Sequence, residues 1–200
     1  SHFASSDERD NPQTPSQISC FDQYRSGVPG ACSLANSSAV LSWPSARRQW
    51  LRAGGALYGL TVAAGKTGAD FGLRAAMTLS TRLISIQRVK AGERVGYAGL
   101  YQCPEDMPVG VAAIGYGDGY PRNIKPGTPA LLNGQRVTVI GRVSMDLMTL
   151  DLRSQPDAQV GDPVVLWGEG LPIEEIADAA NTISYELTCS ITRRVRFIEA

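Results

Sequence analysis

Apolar residues are spaced in two different ways along this chain, and the spacing changes near residue 70. Before that point, short apolar runs alternate with helix-like stretches, which predicts βα units with parallel strands. Beyond it, turn residues separate apolar runs that are typical of a β-rich domain: Met77–Val89, Val109–Ile114, Pro129–Leu132, Val137–Ile140, Leu147–Leu152 and Pro163–Trp167. The small, polar segment Ala63–Asp70 predicts a linker, so we expect one domain over residues 1–65 and another over residues 72–200.

The clearest helix signal lies over residues 14–26. Thr14 and Gln17 have the spacing of a capping box, with Pro15 at the first helical position and Gly27 as a stop. The pattern therefore predicts a helix that starts at Thr14.

Local signals predict four further elements. Asn36-Ser37 opens a short helix, and Asn133-Gly134 between two apolar runs indicates a two-residue hairpin. Pro172 begins a single amphipathic helix. We expect a last strand over Ile191–Ile198 to close the chain.

Composition excludes several partners. The chain has 200 residues, with 19 basic residues against 19 acidic ones, so no net field favours nucleic acid or an anionic membrane. The basic pairs Arg47-Arg48 and Arg193-Arg194 are interpreted as solvated surface. No apolar run reaches the ~18–20 residues of a membrane span.

Cysteine and histidine usage bears on metal and redox chemistry. His2 is the single histidine, and the four cysteines contain no C-x-x-C pair, so we expect no metal site. Widely spaced cysteines indicate reduced thiols, and we expect a soluble, cytoplasmic protein.

Candidate chemistry is concentrated in glycine-rich turns that carry tyrosines. Tyr97 follows Gly96, and Tyr116 lies in Gly115–Gly119, a G-x-G-x-G stretch. Pro121 follows, so no helix begins where a dinucleotide fingerprint requires one, and that interpretation is rejected. A tyrosine hydroxyl held in such a turn can donate a hydrogen bond or act as a general base.

Upstream, three short features favour an anion. Asn36-Ser37 offers a hydroxyl and amides at a helix start, and Gly54-Gly55 offers two unobstructed amides. Arg52 adds a cation beside them. Taken alone, an N-cap, a turn and a surface charge would be the commoner interpretation.

Together and in this order, these blocks resemble alanine racemases, the pyridoxal-phosphate (PLP) enzymes that interconvert L- and D-alanine. The matching blocks extend along essentially the whole chain: Ser1–Ala4, Ser33–Ser37, Leu51–Gly59, Val95–Tyr97, Gly115–Tyr120, Gly141–Asp146 and Ser184–Leu187. The resemblance implies the last βα units of a (β/α)₈ barrel within residues 1–65, followed by a C-terminal β-rich domain. It also implies a piece of a longer chain, as does the start at Ser1 without methionine.

The resemblance assigns the cofactor contacts residue by residue. Ser37, the amides of Gly54 and Gly55, and Tyr185 would bind the PLP phosphate. Arg52 would face the pyridine nitrogen, and because arginine does not readily give up its proton, that nitrogen would stay unprotonated.

It also implies a two-base mechanism. Tyr97 would remove the α-proton of L-alanine, on the face opposite a lysine that serves D-alanine. A phenol with a pKa of ~10 is a poor base at neutral pH, so positive charge must support it. In the family that support comes through a histidine and the pyridine-facing arginine, here His2 and Arg52.

Substrate contacts and assembly follow from the same resemblance. Tyr116 and the backbone N–H of Met145 would contact the alanine carboxylate, and Asp146 would brace that turn. Tyr97, Tyr116 and Met145 would project into the partner subunit's barrel, which implies a homodimer with a shared active site.

Two departures from the family pattern matter. Where the family commonly has Arg-Pro-Gly-Ile, this chain has Arg52–Gly55, which keeps the amides without the rigidity of proline. None of the lysines, Lys66, Lys90 and Lys125, stands in a matching motif. The catalytic lysine is therefore absent, and we expect the chain alone to be inactive.

Other functions stay open on the sequence. A related PLP racemase could serve another amino acid, since one methylene changes binding by only ~1–3 kcal/mol. A non-catalytic β-rich interaction or assembly module could retain racemase residues. A PLP decarboxylase is disfavoured, since an acid would more naturally face its pyridine nitrogen. Peptidoglycan precursor synthesis and D-alanine breakdown are not distinguished.

Overall fold

A computed structural model describes residues 1–199, and the chain divides into two compact units, with the division between Ala76 and Met77. The first unit contains three helices and two strands: α1 (Gln13–Arg25), β1 (Ser33–Asn36), α2 (Ser37–Ser42), β2 (Trp50–Arg52) and α3 (Gly54–Leu57). Strands β1 and β2 are parallel, with Ser33 opposite Trp50 and Asn36 opposite Arg52. This confirms the predicted βα succession.

The helix α1 forms where it was predicted, but its start differs. The helix begins at Gln13, and Pro12 occupies the cap position. Thr14 is buried, and its hydroxyl donates to the Ser5 carbonyl at 3.0 Å, so it does not cap. The predicted capping box at Thr14 and Gln17 is therefore wrong, because a tertiary contact takes the threonine hydroxyl.

The core of the first unit lies between α1, β1 and α2. Its buried members are Phe3, Ile18, Leu34, Ala35, Ala39 and Ala46. The start of α2 is fixed by Asn36, whose side-chain oxygen accepts the Ala39 N–H at 3.1 Å. The predicted helix at Asn36-Ser37 is confirmed. Apolar side chains also remain exposed in β2 and at the end of α3: Trp50, Leu51, Leu57 and Tyr58, the last just after the helix.

The second unit is built on a closed six-stranded barrel in which all neighbours are antiparallel, in the order β10-β3-β6-β9-β8-β7. Its strands coincide with the predicted apolar runs to within a few residues: β3 (Leu79–Val89), β6 (Met107–Ala112), β7 (Pro129–Leu132), β8 (Gln135–Ile140), β9 (Met148–Asp151) and β10 (Pro163–Trp167). A separate hairpin pairs β4 (Arg94–Val95) with β5 (Tyr101–Gln102). The predicted β-rich unit is thus confirmed.

The turn between β7 and β8 is the predicted hairpin. Asn133 and Gly134 have φ angles of 51° and 78°, a left-handed pair that matches the twist of the flanking strands. Asparagine and glycine adopt left-handed backbone angles more readily than other residues, so the Asn-Gly dipeptide predicts this hairpin turn.

Two expectations for the C-terminal part are wrong. Two helices follow β10, α4 (Ile173–Ala180) and α5 (Ser184–Ser190), where a single helix was predicted. The Glu175 carboxylate on α4 accepts two hydrogen bonds of 2.7 Å from Arg136 on β8. The predicted strand Ile191–Ile198 does not form, because this segment bonds to a turn far away in sequence.

An aromatic pair fills the interior of the second unit. Tyr120 and Trp167 are both buried and stack with their ring centroids 5.8 Å apart and an interplanar angle of 15°. Within residues 1–199, neither the Tyr120 hydroxyl nor the Trp167 indole N–H finds a hydrogen-bond partner. Burial raises the pKa of the Tyr120 phenol well above its usual value. The pair therefore belongs to the core.

In the part of the chain that the structure describes, no helix combines the length and the apolar character needed to cross a membrane.

Candidate active site

Arg52 is held by several hydrogen bonds within the first unit. It ends β2, and its guanidinium donates to the Ser33 hydroxyl at 2.6 Å, the Ser1 carbonyl at 2.8 Å and the Leu34 carbonyl at 3.3 Å. One of its nitrogens also lies 3.3 Å from Nδ1 of His2. Because arginine can only donate, Nδ1 of His2 is the acceptor in this contact. The structure thus brings the predicted pair Arg52 and His2 together.

Ser37 and the glycine pair also lie together. Ser37 is buried at the start of α2, and its hydroxyl oxygen accepts the Ala56 N–H at 3.2 Å. That contact joins the starts of α2 and α3, where Gly54 and Gly55 supply first-turn amides without an intrahelical acceptor. A methyl group added at Gly54 would meet nothing within 4 Å.

This junction has the donors that an anion requires. The Ser37 oxygen already accepts a hydrogen bond, so its own proton is free to donate, and among the described residues nothing accepts it. The amides of Gly54 and Gly55 lie at the start of α3, which this bond joins to Ser37. A hydroxyl and free backbone amides are the kinds of donor that bind phosphate groups.

Tyr97 projects from a turn that only glycine permits. Gly96 has a φ of 77°, and a Cβ built on it would lie 2.9 Å from the Arg142 backbone nitrogen. Ala98 also has a positive φ, 60°. Tyr97 itself is 65% exposed. Close backbone approach therefore fixes the turn, while the phenol is left accessible.

The Tyr116 turn and the Met145 loop are joined through their backbones. The Tyr116 N–H donates to the Ser144 carbonyl at 3.0 Å, and the Gly117 N–H donates to the Met145 carbonyl at 2.8 Å. A Cβ at Gly115 would lie only 2.2 Å from the Ser144 oxygen, so glycine is required there. Among the described residues no acceptor takes the Met145 N–H.

Arg194 was not identified as a site residue from sequence. Its Nε lies 3.2 Å from an Asp118 oxygen, and another nitrogen donates to Asp146. These carboxylates raise the pKa of the guanidinium, Asp146 more than Asp118. Arg193 and Arg194 are both exposed, as predicted, but Arg194 also forms these two ion pairs. No signal in the sequence pairs it with aspartates 48 and 76 residues away.

A second cation packs on the Tyr116 ring. The guanidinium carbon of Arg122 lies 5.8 Å from the centre of that ring, within range of a cation–π contact. Tyr185 lies in α5 and is half-buried, and its carbonyl accepts the Thr188 hydroxyl at 2.9 Å.

The predicted site residues thus form one set in each unit. In the first, hydrogen bonds join Arg52 to His2 and Ser37 to Ala56, the residue that follows Gly54 and Gly55. The second set lies on turns and on α5: Tyr97, Tyr116, Met145 and Tyr185. Within residues 1–199, no group of three or more His, Cys, Asp or Glu side chains could hold a metal ion.

Comparison with known proteins finds one family. The model of the alanine racemase N-terminal domain matches residues 1–62, and that of the alanine racemase C-terminal domain matches residues 76–199. An alanine racemase of Nitrosococcus oceani is 53% identical over 196 residues, which cover 98% of this chain and 54% of that protein. One from Shewanella sediminis is 49% identical over 195 residues, with the same coverage of 98% and 54%.

Solved structures agree. The crystal structure of the biosynthetic alanine racemase of Pseudomonas aeruginosa has a TM-score of 0.94 and 45% identity over 97% of this chain and 54% of that chain. The alanine racemase of Bartonella henselae, solved with covalently bound pyridoxal phosphate, has a TM-score of 0.83 and 26% identity, covering 98% and 55%. The chain therefore spans about half the length of the curated relatives it matches.

Proposed function

The chain belongs to the alanine racemase family, and from that premise we propose that the protein of which it forms part interconverts L- and D-alanine with PLP. Its fold fits: the first unit holds the last βα units of the family's barrel, and the second is the C-terminal β-rich domain. The observation that supports the proposal is that consecutive elements of the first unit carry three kinds of donor. They are the Ser37 hydroxyl, the amides of Gly54 and Gly55, and the hydrogen-bonded guanidinium of Arg52.

The donor set suits PLP. Bound PLP supplies an electron-withdrawing ring that makes the α-proton of an amino acid removable. We assign its phosphate to the Ser37 hydroxyl and the amides of Gly54 and Gly55, with Tyr185 as a further donor. Arg52, which its protein partners hold in place, would face the pyridine nitrogen and, because arginine does not readily give up its proton, would leave that nitrogen unprotonated.

Tyr97 is proposed as the proton-transfer group for L-alanine. Its phenol is exposed, and the turn that carries it is fixed by the approach of Gly96 to Arg142. We assign the positive charge that a phenolate base needs to Arg52, with His2, which accepts a hydrogen bond from it, as the intermediate group. A lysine outside this chain serves D-alanine, so the reaction has one base on each face of the substrate.

The substrate carboxylate is assigned to Tyr116 and Met145. The Tyr116 hydroxyl and the Met145 N–H can both donate to it, and the two groups are joined by backbone hydrogen bonds between their loops. We place these residues, with Tyr97, in a site shared across a cytoplasmic homodimer. Alanine is the proposed substrate because the relatives named above are alanine racemases.

The decisive experiment replaces Tyr97 by Phe in the full-length protein. We expect L-to-D turnover to fall by about a thousandfold or more, because the base is lost, with the PLP absorbance band near ~420 nm unchanged. Tyr24→Phe is the matched control, since Tyr24 is a 78% exposed tyrosine of α1 outside the site. Chiral chromatography measures the turnover. Turnover like that of the wild type in Tyr97→Phe would refute the assignment.

The absence of the catalytic lysine is tested on the 200-residue chain alone. We expect borohydride reduction with PLP, followed by peptide mapping, to yield no adduct at a unique lysine, and we expect no racemisation. Reduction onto one site among Lys66, Lys90 and Lys125 would show that this chain supplies its own cofactor lysine.

A non-catalytic assembly module is the second candidate. Four exposed apolar side chains of the first unit favour it: Trp50, Leu51, Leu57 and Tyr58. A full-length wild-type protein that binds PLP but exchanges no alanine α-proton in D₂O would support this alternative over the racemase.

A further inference from the structure

The guanidinium of Arg194 connects two loops of the second unit. It pairs with Asp118, in the turn that carries Tyr116, and with Asp146, next to Met145. Asp118 in turn accepts the Gly115 N–H at 2.9 Å through its other oxygen. One cation therefore holds both loops.

The chain around Arg194 wraps the same turn. The Thr192 N–H donates to the Asp118 carbonyl at 3.0 Å, and its hydroxyl donates to the Gly117 carbonyl at 3.0 Å. The Ser190 hydroxyl donates to the Gly119 carbonyl at 3.1 Å. These contacts connect the end of α5, the helix that carries Tyr185, to the turn that carries Tyr116.

Space around the turn is shaped to admit the guanidinium. A Cβ at Gly117 would lie 2.5 Å from Nη1 of Arg194, so the side chain packs directly over a residue without one. The side chain of Asp118 is only 13% exposed, whereas those of Arg194 and Asp146 are 50% and 57% exposed. In the ion pair with the Tyr116 turn, the Asp118 carboxylate is thus largely shielded from water.

We infer that Arg194 is a positioning residue that fixes the spacing between the Tyr116 hydroxyl and the Met145 N–H, and so sets the affinity for the substrate carboxylate. This inference rests on the proposed function. Two hydrogen bonds between backbone groups already join the loops. The guanidinium of Arg194 adds a connection between side chains, because it pairs with Asp118 of one loop and Asp146 of the other.

Charge gives Arg194 a second effect on the same site. Asp118 and Asp146 place two negative charges close to Tyr116 and Met145, the residues proposed to bind the substrate carboxylate. Like charges in one site repel, and Arg194 neutralises part of that charge. The loss of Arg194 should therefore both loosen the two loops and increase the repulsion of the alanine carboxylate.

The test compares three variants of the full-length protein. Arg194→Met keeps much of the side-chain length and removes the charge. Arg194→Lys keeps the charge but lacks the planar guanidinium that can contact two carboxylates at once. Arg193→Met, at an exposed neighbouring residue, is the control. We expect the KM for L-alanine to rise about tenfold in Arg194→Met, with kcat within about threefold, because binding and orientation weaken together. Arg194→Lys should recover part of the loss, and Arg193→Met should match the wild type.

Hydrogen exchange provides a readout that does not depend on activity. The amides of Tyr116 and Gly117 should exchange faster in Arg194→Met than in Arg193→Met. Unchanged amide exchange or an unchanged KM in Arg194→Met would overturn the inference. A lower kcat at unchanged KM would also overturn it, because it indicates only a loss of folded enzyme. A wild type that does not racemise alanine would refute the proposed function, and the exchange data would still decide whether Arg194 holds the loops. If Arg194→Met does not fold, the comparison of Arg194→Lys with the wild type serves the same purpose.

Discussion

The two units hold their proposed site residues by different means. In the first, side chains are fixed by other side chains and carbonyls, as in the contacts of Arg52 and the bond from Ala56 to Ser37. In the second, exposed Tyr97 and Tyr116 lie on turns whose backbones approach so closely that only glycine fits. Substitution of a site residue in the first unit should therefore reduce function with little loss of stability. Substitution of a turn glycine in the second unit should reduce both stability and function.

The sheets of the two units also differ, in how completely their strands are paired and covered. The second unit closes six of its eight strands into a barrel, so each of the six has two neighbours. The first unit has a two-stranded parallel sheet and leaves Trp50 and Leu57 exposed, at 65% and 77%. Parallel strands are normally covered on both faces; here β1 packs against α1 and α2, whereas all three residues of β2 are exposed.

The sharpest way to break this comparison is to separate the two regions. We expect residues 77–200 expressed alone to give a cooperative thermal transition by circular dichroism, since the barrel closes on itself. Residues 1–76 alone should show no cooperative transition and should elute as aggregates, because their apolar face stays exposed. A cooperative, monomeric residue 1–76 piece would show that the open sheet is self-sufficient.

A matched pair of glycine substitutions tests the contrast at single residues. Gly115→Ala should destabilise the protein by about 3 kcal/mol in urea denaturation, since its Cβ would lie 2.2 Å from a backbone oxygen that cannot move freely. Gly54→Ala should change the unfolding free energy by less than about 1 kcal/mol, since its Cβ meets nothing within 4 Å. Equal losses in both variants would mean that the two regions do not differ in this way.

The smallest expected effect is a loss of folding stability at acidic pH. The hydrogen bonds from Arg136 lower the pKa of Glu175 below its ordinary value, against an opposing effect of burial. A carboxyl whose pKa is lower in the folded state contributes stability above its unfolded pKa and loses it as the pH falls. Because the pair is partly exposed, we expect only about 0.5 kcal/mol to be lost between roughly pH 5 and pH 3.

Glu175→Gln is the control for that prediction, because it removes the titrating group while keeping the shape. Urea denaturation at several pH values should show a shallower acid dependence in this variant than in the parent. The same slope in both proteins would show that the bond between α4 and β8 contributes nothing measurable to the stability of the second unit.

Local patterns predicted much of this fold. The apolar runs located all six barrel strands, and Asn133-Gly134 predicted its hairpin, because left-handed backbone angles at both positions favour those residues. The start of α2 followed from the capping preference of Asn36. In each case neighbouring residues in the sequence determine the conformation.

The errors arose where distant contacts decide. The apolar residues of Ile191–Ile198 indicated a strand, but Thr192 bonds instead to a turn more than 70 residues away. Thr14 was predicted to cap a helix, and its hydroxyl is taken by Ser5. Of the candidate site, motif blocks suggested the residues, whereas the pairing of Arg194 with Asp118 and Asp146 has no local signature. The cofactor and substrate roles stay predictions until the variants are measured.

The stack of Tyr120 on Trp167 also makes the second unit a natural optical reporter. Trp167 is the only tryptophan among residues 77–200 and has no measurable exposure to solvent. Its emission in the folded barrel should therefore lie at short wavelength and shift to the red as water reaches the indole. Tyr120, 5.8 Å away, is close enough to pass excitation to it. Folding of the barrel can thus be followed by intrinsic fluorescence, with no label attached.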